Sequence, residues 1–362
     1  MTHAGTEAAL IAPGTSDALA LLRTGTVIPA HPLALTEAGS FDERHQRALT
    51  RYQLAAGVGG VAVGVHSTEF AIREADVGLL APVLELAAET VRAEATRTTI
   101  LVGGAVGPTA QAVSEAELAA GLGYHAVLLS PGGLAGASEA DLVARTRAVA
   151  EVLPVIGFYL QPAVGGRALS QQYWHDMAAI EGVVAIKAAP FDRYATLDVL
   201  RAVADCGRDD LVVYTGNDDS ILHDLITPLG YPDGAGGLRS LWMRGGLLGQ
   251  WAVWTRRAVE MFERVQRLRG GDGSELPGLL RLAPQLTDAN SAVFDAANAF
   301  RGCIPGIKEV LRRQGLLDSI RCLDPDEQLS PGQAAELDRV TAAYPWLTDD
   351  TFIAEHRDGW LS

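Results

Sequence analysis

Lysine is nearly missing from this chain: of 29 basic residues, all but Lys187 and Lys308 are arginine. Positive charge as a whole is short, since 44 acidic residues leave a net charge of −15 and a pI near 4.9. No arginine-rich run offsets that deficit, which excludes a phosphate backbone as a natural partner. Cysteine is scarce as well, with Cys206, Cys303 and Cys322 far apart and in no CxxC pair. An odd, scattered set excludes a disulfide scaffold and suits a reducing compartment. Long apolar runs are absent: the longest uncharged tract, roughly 118–138, is broken by Pro131 and several glycines, so no membrane span is expected. The first 23 residues lack the basic start and apolar stretch of a secretory signal. The expectation is a cytoplasmic protein without nucleic-acid or membrane partners.

What is present is a globular balance, 48% hydrophobic and 20% charged residues, enough for a sizeable packed core. Short apolar or β-branched runs recur at 26–30, 59–64, 99–103, 126–130, 155–160, 183–187 and 211–215. A faint eighth lies somewhere in 236–242. Segments with helical spacing fall between them, at 41–57, 71–95, 109–123, 139–153, 170–180 and 195–206. Strands alternating with helices indicate parallel pairing through helical crossovers. Seven or eight such units predict an α/β fold, a (β/α)8 TIM barrel over residues 24–245, with an open doubly wound sheet as the alternative. Residues 1–23 read as a lead-in. Residues 246–362, helical in spacing and cut by loops at 270–278, 323–332 and 344–350, read as a C-terminal helical region packed on the barrel.

In such a barrel the chemistry sits at the carboxyl ends of the strands. Lys187 stands there in VVAIKAAP, walled by Val183, Val184 and Ile186. Partial burial disfavours the ammonium and lowers the pKa toward the range in which a free amine attacks a carbonyl. A lysine that merely reaches water, or pairs with Asp192, would give the same sequence. Arginine would serve there equally well, however, and cannot lose its proton to form an imine. Tyr159, near the end of the preceding strand in GFYLQPAVGG, is placed to relay protons beside the amine, or equally to pack its ring. In VHSTEF, His66, Ser67 and Thr68 precede a helix start, where hydroxyls and amides can seat a carboxylate or simply cap the helix. His31 after the first strand and Asn217 after the seventh are expected in the same mouth, and with Gln161 suggest a polar, hydroxylated ligand. His223 and Asp224, with Asp218 and Asp219, match no metal-ligand spacing, so no metal is expected and capping or solvated roles are assigned.

Together these stretches resemble the dihydrodipicolinate synthase and N-acetylneuraminate lyase family of class I Schiff-base aldolases, from about Thr24 to Trp346. The tail GIKEVLRRQGLLDSIRCLDPDEQLSPGQAAELDRV is similar to that family's closing helices. The resemblance implies a (β/α)8 barrel and a lyase or aldolase acting on a 2-keto acid without a cofactor. It also implies a homo-oligomer, dimeric or tetrameric. It makes Lys187 the imine-forming residue, Tyr159 the proton relay and Ser67 a carboxylate-holding hydroxyl. Several positions depart from the pattern. His66 and Ser67 replace a hydroxyl pair, Thr68 replaces a glycine, Val164 stands where the synthases carry arginine (Arg167 follows three residues later), and SPGGL lacks the fourth-strand tyrosine. These departures point away from the lysine-biosynthesis synthase itself. A dehydratase of a deoxy keto sugar acid using the same imine, or a barrel that binds without turnover, are the alternatives.

Overall fold

The computed structural model describes residues 14–232 and 236–362; part of the lead-in assigned to 1–23 lies outside the described residues. Its strands are β1 (Val27–Pro29), β2 (Gly60–Val63), β3 (Ile100–Ala105), β4 (Ala126–Leu129), β5 (Val155–Leu160), β6 (Val183–Ala189), β7 (Val212–Thr215), β8 (Leu229–Pro232), β9 (Leu238–Leu241) and β10 (Met243–Leu248). Eight of them form one parallel sheet in the order β1-β10-β7-β6-β5-β4-β3-β2. A parallel bridge from Ala30 to Ala62 brings the two edges together. The result is a TIM barrel wrapped by helices, with further helices after β10.

The eighth barrel strand is not where the sequence placed it. Residues within 236–242 form β9, which pairs antiparallel with β8 as a hairpin outside the barrel, and the barrel is completed by β10. β10 reads MRGGLL and carries no β-branched residue. Its two glycines answer to crowding: a Cβ on Gly245 would lie 2.2 Å from the Thr26 carbonyl oxygen, and one on Gly246 2.6 Å from the Trp251 ring. Close backbone approach erased the usual strand signature. The helix expected at 71–95 begins only at Leu80, because the segment before it is a turn of 3-10 helix, Phe70–Arg73, followed by Gly78 at φ 62°.

The other helices start and stop on local chemistry. Asp42 accepts from the His45 amide to open Glu43–Ala56, and Gly57 at φ 97° ends it. Ser138 and Asp141 cap Glu139–Ala150 reciprocally. Asp192 caps Arg193–Cys206 by accepting from the Ala195 amide at 2.8 Å, a duty that explains it without Lys187.

Alternation along the strands divides the core in two. Ile28, Ile100, Val102, Leu128, Ile156 and Leu247 fill the barrel interior, and a second, larger set packs strands against helices. The helix Thr15–Thr24 plugs the amino-terminal end with Ala18 and Leu22, both fully buried; burial of a leucine contributes about 2 kcal/mol. Tyr214 fastens that plug, its hydroxyl donating to the Leu22 carbonyl at 2.8 Å and accepting from the Thr26 amide at 3.2 Å. Among the described residues no helix is long and apolar enough to cross a membrane.

Candidate active site

With one end plugged, the cavity opens at the carboxyl ends of the strands. Lys187, in β6, pairs in register with Phe158 of β5 and Tyr214 of β7. It is 8% exposed, and its ammonium lies 4.3 Å from the centre of the Phe158 ring. The stem runs against Gly216, where a Cβ would come within 2.4 Å of Lys187 Cε. Only glycine leaves the lysine room. Burial lowers the Lys187 pKa to about 8, and the negative charge of Asp218 opposes that fall. The Asp218 carboxyl is itself pushed up to about 7 by burial, held back by the Gln250 amide, which donates to its Oδ1 at 3.0 Å, and by Lys187. The cavity therefore holds an amine and a carboxyl that both titrate near neutrality.

His66 and Ser67 also line the cavity, on a single turn of 3-10 helix after β2. Burial, with the Lys187 charge added, lowers the His66 pKa to about 4, so its imidazole is neutral at pH 7. The Ser67 hydroxyl makes only a long 3.4 Å bond to the His31 carbonyl. Thr68 does not reach the cavity: fully buried, it donates to the His31 carbonyl at 2.6 Å and accepts from the Gly64 and Val65 amides. It knots the loop that presents its neighbours.

Three more of the expected site residues turn away. Tyr159 is out of phase with the cavity, because Ile156, Phe158 and Leu160 point inward and Val155 and Tyr159 outward. Its ring packs 4.9 Å from Trp174 and its hydroxyl accepts weakly from the Leu169 amide at 3.4 Å. Phe158 takes the position beside the lysine. His31 is buried against the helix Glu43–Ala56, where Nδ1 accepts from Gln46 Nε2 at 2.8 Å and Nε2 donates to Thr50 Oγ1 at 2.9 Å. Asn217 spends its amide on Thr196, Asp224 and the Phe191 backbone N–H. Both are saturated from within, so the polar mouth expected of them is not formed.

The sequence reading missed Asp218 and the aromatic wall. Asp218 is one step past Asn217, and period two puts Gly216 and Asp218 in the cavity while Thr215 and Asn217 face Asp224 behind it. That phase was available in TGNDD. Phe191 follows β6, whereas Phe294, Phe300 and Cys303 come from the C-terminal region, and no local pattern announces a contact across a hundred residues. Val164 lines the cavity, and Arg167 instead donates to the carbonyls of Leu134 and Ala137, holding the loop after β4. Lys308 is accounted for separately: fully buried, it pairs with Glu69 and donates to the Arg321 carbonyl, while Glu69 accepts from the Leu323 amide. This buried pair ties the strand-two loop to the C-terminal region. Among the described residues, the carboxylates and thiol of Glu69, Cys322 and Glu327 also approach within 4.8 Å of one another, but Lys308 already neutralises Glu69.

Fold and site define a TIM-barrel protein with a buried amine at its mouth. The model of the dihydrodipicolinate synthetase family matches residues 23–235, more than half of the 362, and the chain belongs to that family. It is 30% identical to a 4-hydroxy-tetrahydrodipicolinate synthase of Exiguobacterium sibiricum over 190 residues, 52% of this chain and 61% of that relative. The chain thus matches less than two thirds of that relative's length. Among solved structures, a prophage protein of Escherichia coli K12 in the dihydrodipicolinic acid synthase family, in complex with pyruvate, superposes with a TM-score of 0.72 at 20% identity, over 90% of this chain and all of that one. A monomeric dihydrodipicolinate synthase variant gives 0.71 at 19%, over 90% and 98%. N-acetylneuraminate lyase from Fusobacterium nucleatum gives 0.69 at 17%, over 89% and 99%. At these identities the structural likenesses establish the fold.

Proposed function

We propose that this protein is a Schiff-base-forming lyase or aldolase of a pyruvate-type 2-keto acid, working in the reducing cytoplasm that its three free cysteines suit. The neutral Lys187 amine adds to the C2 carbonyl, and loss of water leaves a protonated imine. A C3 proton is then removed, the bonding pair moving into an enamine with the nitrogen as its sink. The enamine carbon attacks the carbonyl of a second substrate, whose oxygen takes up a proton, and water hydrolyses the imine to return the free amine. The same steps in reverse cleave the product.

Lys187 is suited to the first step by its lowered pKa and by the space Gly216 leaves for it. Proton transfer falls to Asp218, whose raised pKa puts it near the operating pH, in place of the outward-facing Tyr159. The keto-acid carboxylate is assigned to Ser67 and the neighbouring His66, a reading supported by their both lining the cavity. The observation that carries the reading is the buried, glycine-accommodated amine of β6, two residues before the strand's carboxyl end. Borohydride reduction in the presence of pyruvate should leave a stable covalent adduct on the native chain and none on Lys187→Arg. An adduct-free native protein, over pyruvate and longer 2-keto acids, would instead support a barrel that binds without turnover.

A further inference from the structure

The cavity's walls say more about the second substrate than its floor does. Phe191 and Phe300 face each other at its mouth, ring centres 5.6 Å apart at 81°. Each sits in the left-handed backbone region, at φ 51° and 65°, which bulky residues rarely adopt and which persists only where surrounding bonds enforce it. The enforcement is visible: Asn217 Oδ1 accepts from the Phe191 amide at 3.1 Å, and the Asp295 carbonyl accepts from the Phe300 amide at 3.1 Å. Both rings remain half-buried, an apolar pair held at an entrance where nothing among the described residues covers it fully. Phe294, with Phe158 beside the amine, continues the aromatic wall inward.

Charge and hydrogen bonding narrow the choice further. Among the described residues lining the inner cavity, Lys187 is the only lysine or arginine and Asp218 is acidic. Arg301 lies outside it, exposed on the outer pocket beyond Phe300, which Glu69, Asp324, Asp326 and Glu327 also line. Once the protonated imine has lost its C3 proton the enamine is uncharged, and a carboxylate or phosphate of the second substrate drawn into this inner cavity would meet Asp218 and no cation. A polyhydroxylated chain needs several uncommitted polar partners in a water-poor site. His31, Thr68 and Asn217 are saturated, and beyond the groups that face the keto acid only Gln161 and Asp218 remain.

We infer that the carbonyl compound joined to, or released from, the Lys187-bound keto acid is an uncharged aromatic aldehyde, gripped by Phe191 and Phe300. This rests on the imine reading above. With pyruvate and benzaldehyde, the enamine C3 bonds to the aldehyde carbon, the aldehyde oxygen takes the proton, and hydrolysis releases 4-hydroxy-2-oxo-4-phenylbutanoate with the free amine. No oxidant or cofactor enters the balance.

The test compares kcat/KM for benzaldehyde and glyceraldehyde, each with pyruvate, in the native protein, Phe191→Asn and Phe300→Asn, with borohydride trapping of pyruvate followed in parallel. Asparagine accepts the left-handed conformation, so these variants remove a ring without fighting the backbone. The native protein should prefer benzaldehyde, and each variant should lose about tenfold of that preference, the scale of a lost aromatic contact and its burial, mainly through KM. Pyruvate trapped on Lys187 together with a preference for glyceraldehyde, or a preference indifferent to both substitutions, would overturn the inference and leave the imine reading standing. Absence of trapping in the native protein would overturn both.

Discussion

Replacing Asp218 with asparagine separates the two forces acting on Lys187. Burial pulls its pKa down and the Asp218 charge pulls it up, with the balance at about 8. At pH 7 about one amine in ten is then neutral, against roughly one in three thousand for a lysine at its ordinary 10.5. Asparagine keeps the shape and discards the charge, so the amine should become more acidic still. A fall of about one pH unit corresponds to a loss of about 1.4 kcal/mol of attraction. The assay is the rate of reductive trapping of pyruvate by cyanoborohydride between about pH 5.5 and 11, fitted for its midpoint. The midpoint should sit near 8 in the native protein and lower in Asp218→Asn. Aldol turnover at pH 7 should drop by about 10² or more, because the proton carrier is gone while imine formation is not. A native midpoint near 10.5, or an unmoved or higher midpoint in the variant, would refute the electrostatic account of the site.

Other consequences are independent of that pair. Gly216→Ala would put a methyl 2.4 Å from Lys187 Cε and 2.7 Å from Ala189 Cβ, so trapping should fall at least about tenfold with the circular dichroism spectrum retained; trapping at the native rate would contradict the packing. Burial holds the His31 pKa at about 4, so the unfolded chain takes up a proton that the folded one refuses. The His31 contribution to stability should be full above about pH 6.5 and fall by about 3 kcal/mol as the pH drops toward 4, so His31→Gln should reduce the slope in urea titrations at about pH 7.5 and 4.5, leaving the part that His66 supplies. Lys308→Met strands the Glu69 carboxylate, buried to 4% exposure, and should cost about 3–5 kcal/mol of unfolding free energy. Adding Glu69→Gln should restore much of it.

Much of this architecture is written locally, and what is not written locally stayed hidden. Seven of the barrel strands announce themselves through apolar and β-branched runs, and Lys187 stands out because a chain that writes its charge as arginine kept an amine at the end of one of them. β10 escaped because Gly245 and Gly246 answer to Thr26 and Trp251 rather than to strand propensity. Side-chain phase decided the rest. Tyr159 and Phe158 are adjacent, and the one facing the lysine is fixed by which neighbour Trp174 claims. His31 and Asn217 have the right residue type at the right strand ends, yet Gln46, Thr50, Thr196 and Asp224 absorb their bonding capacity. Phe294 and Phe300 reach the cavity by tertiary packing alone.

The scarcity of lysine makes the decisive measurement simple. Endoproteinase Lys-C can cut this chain only after Lys187 and Lys308, and a reduced imine blocks cleavage at the lysine that carries it. After borohydride treatment with pyruvate, digestion should fail after Lys187 and proceed after Lys308, with the pyruvate-derived mass on the peptide that spans residue 187. Adduct on Lys308 or the amino terminus, with Lys187 cut normally, would contradict the assignment of the buried amine as the group that binds the keto acid.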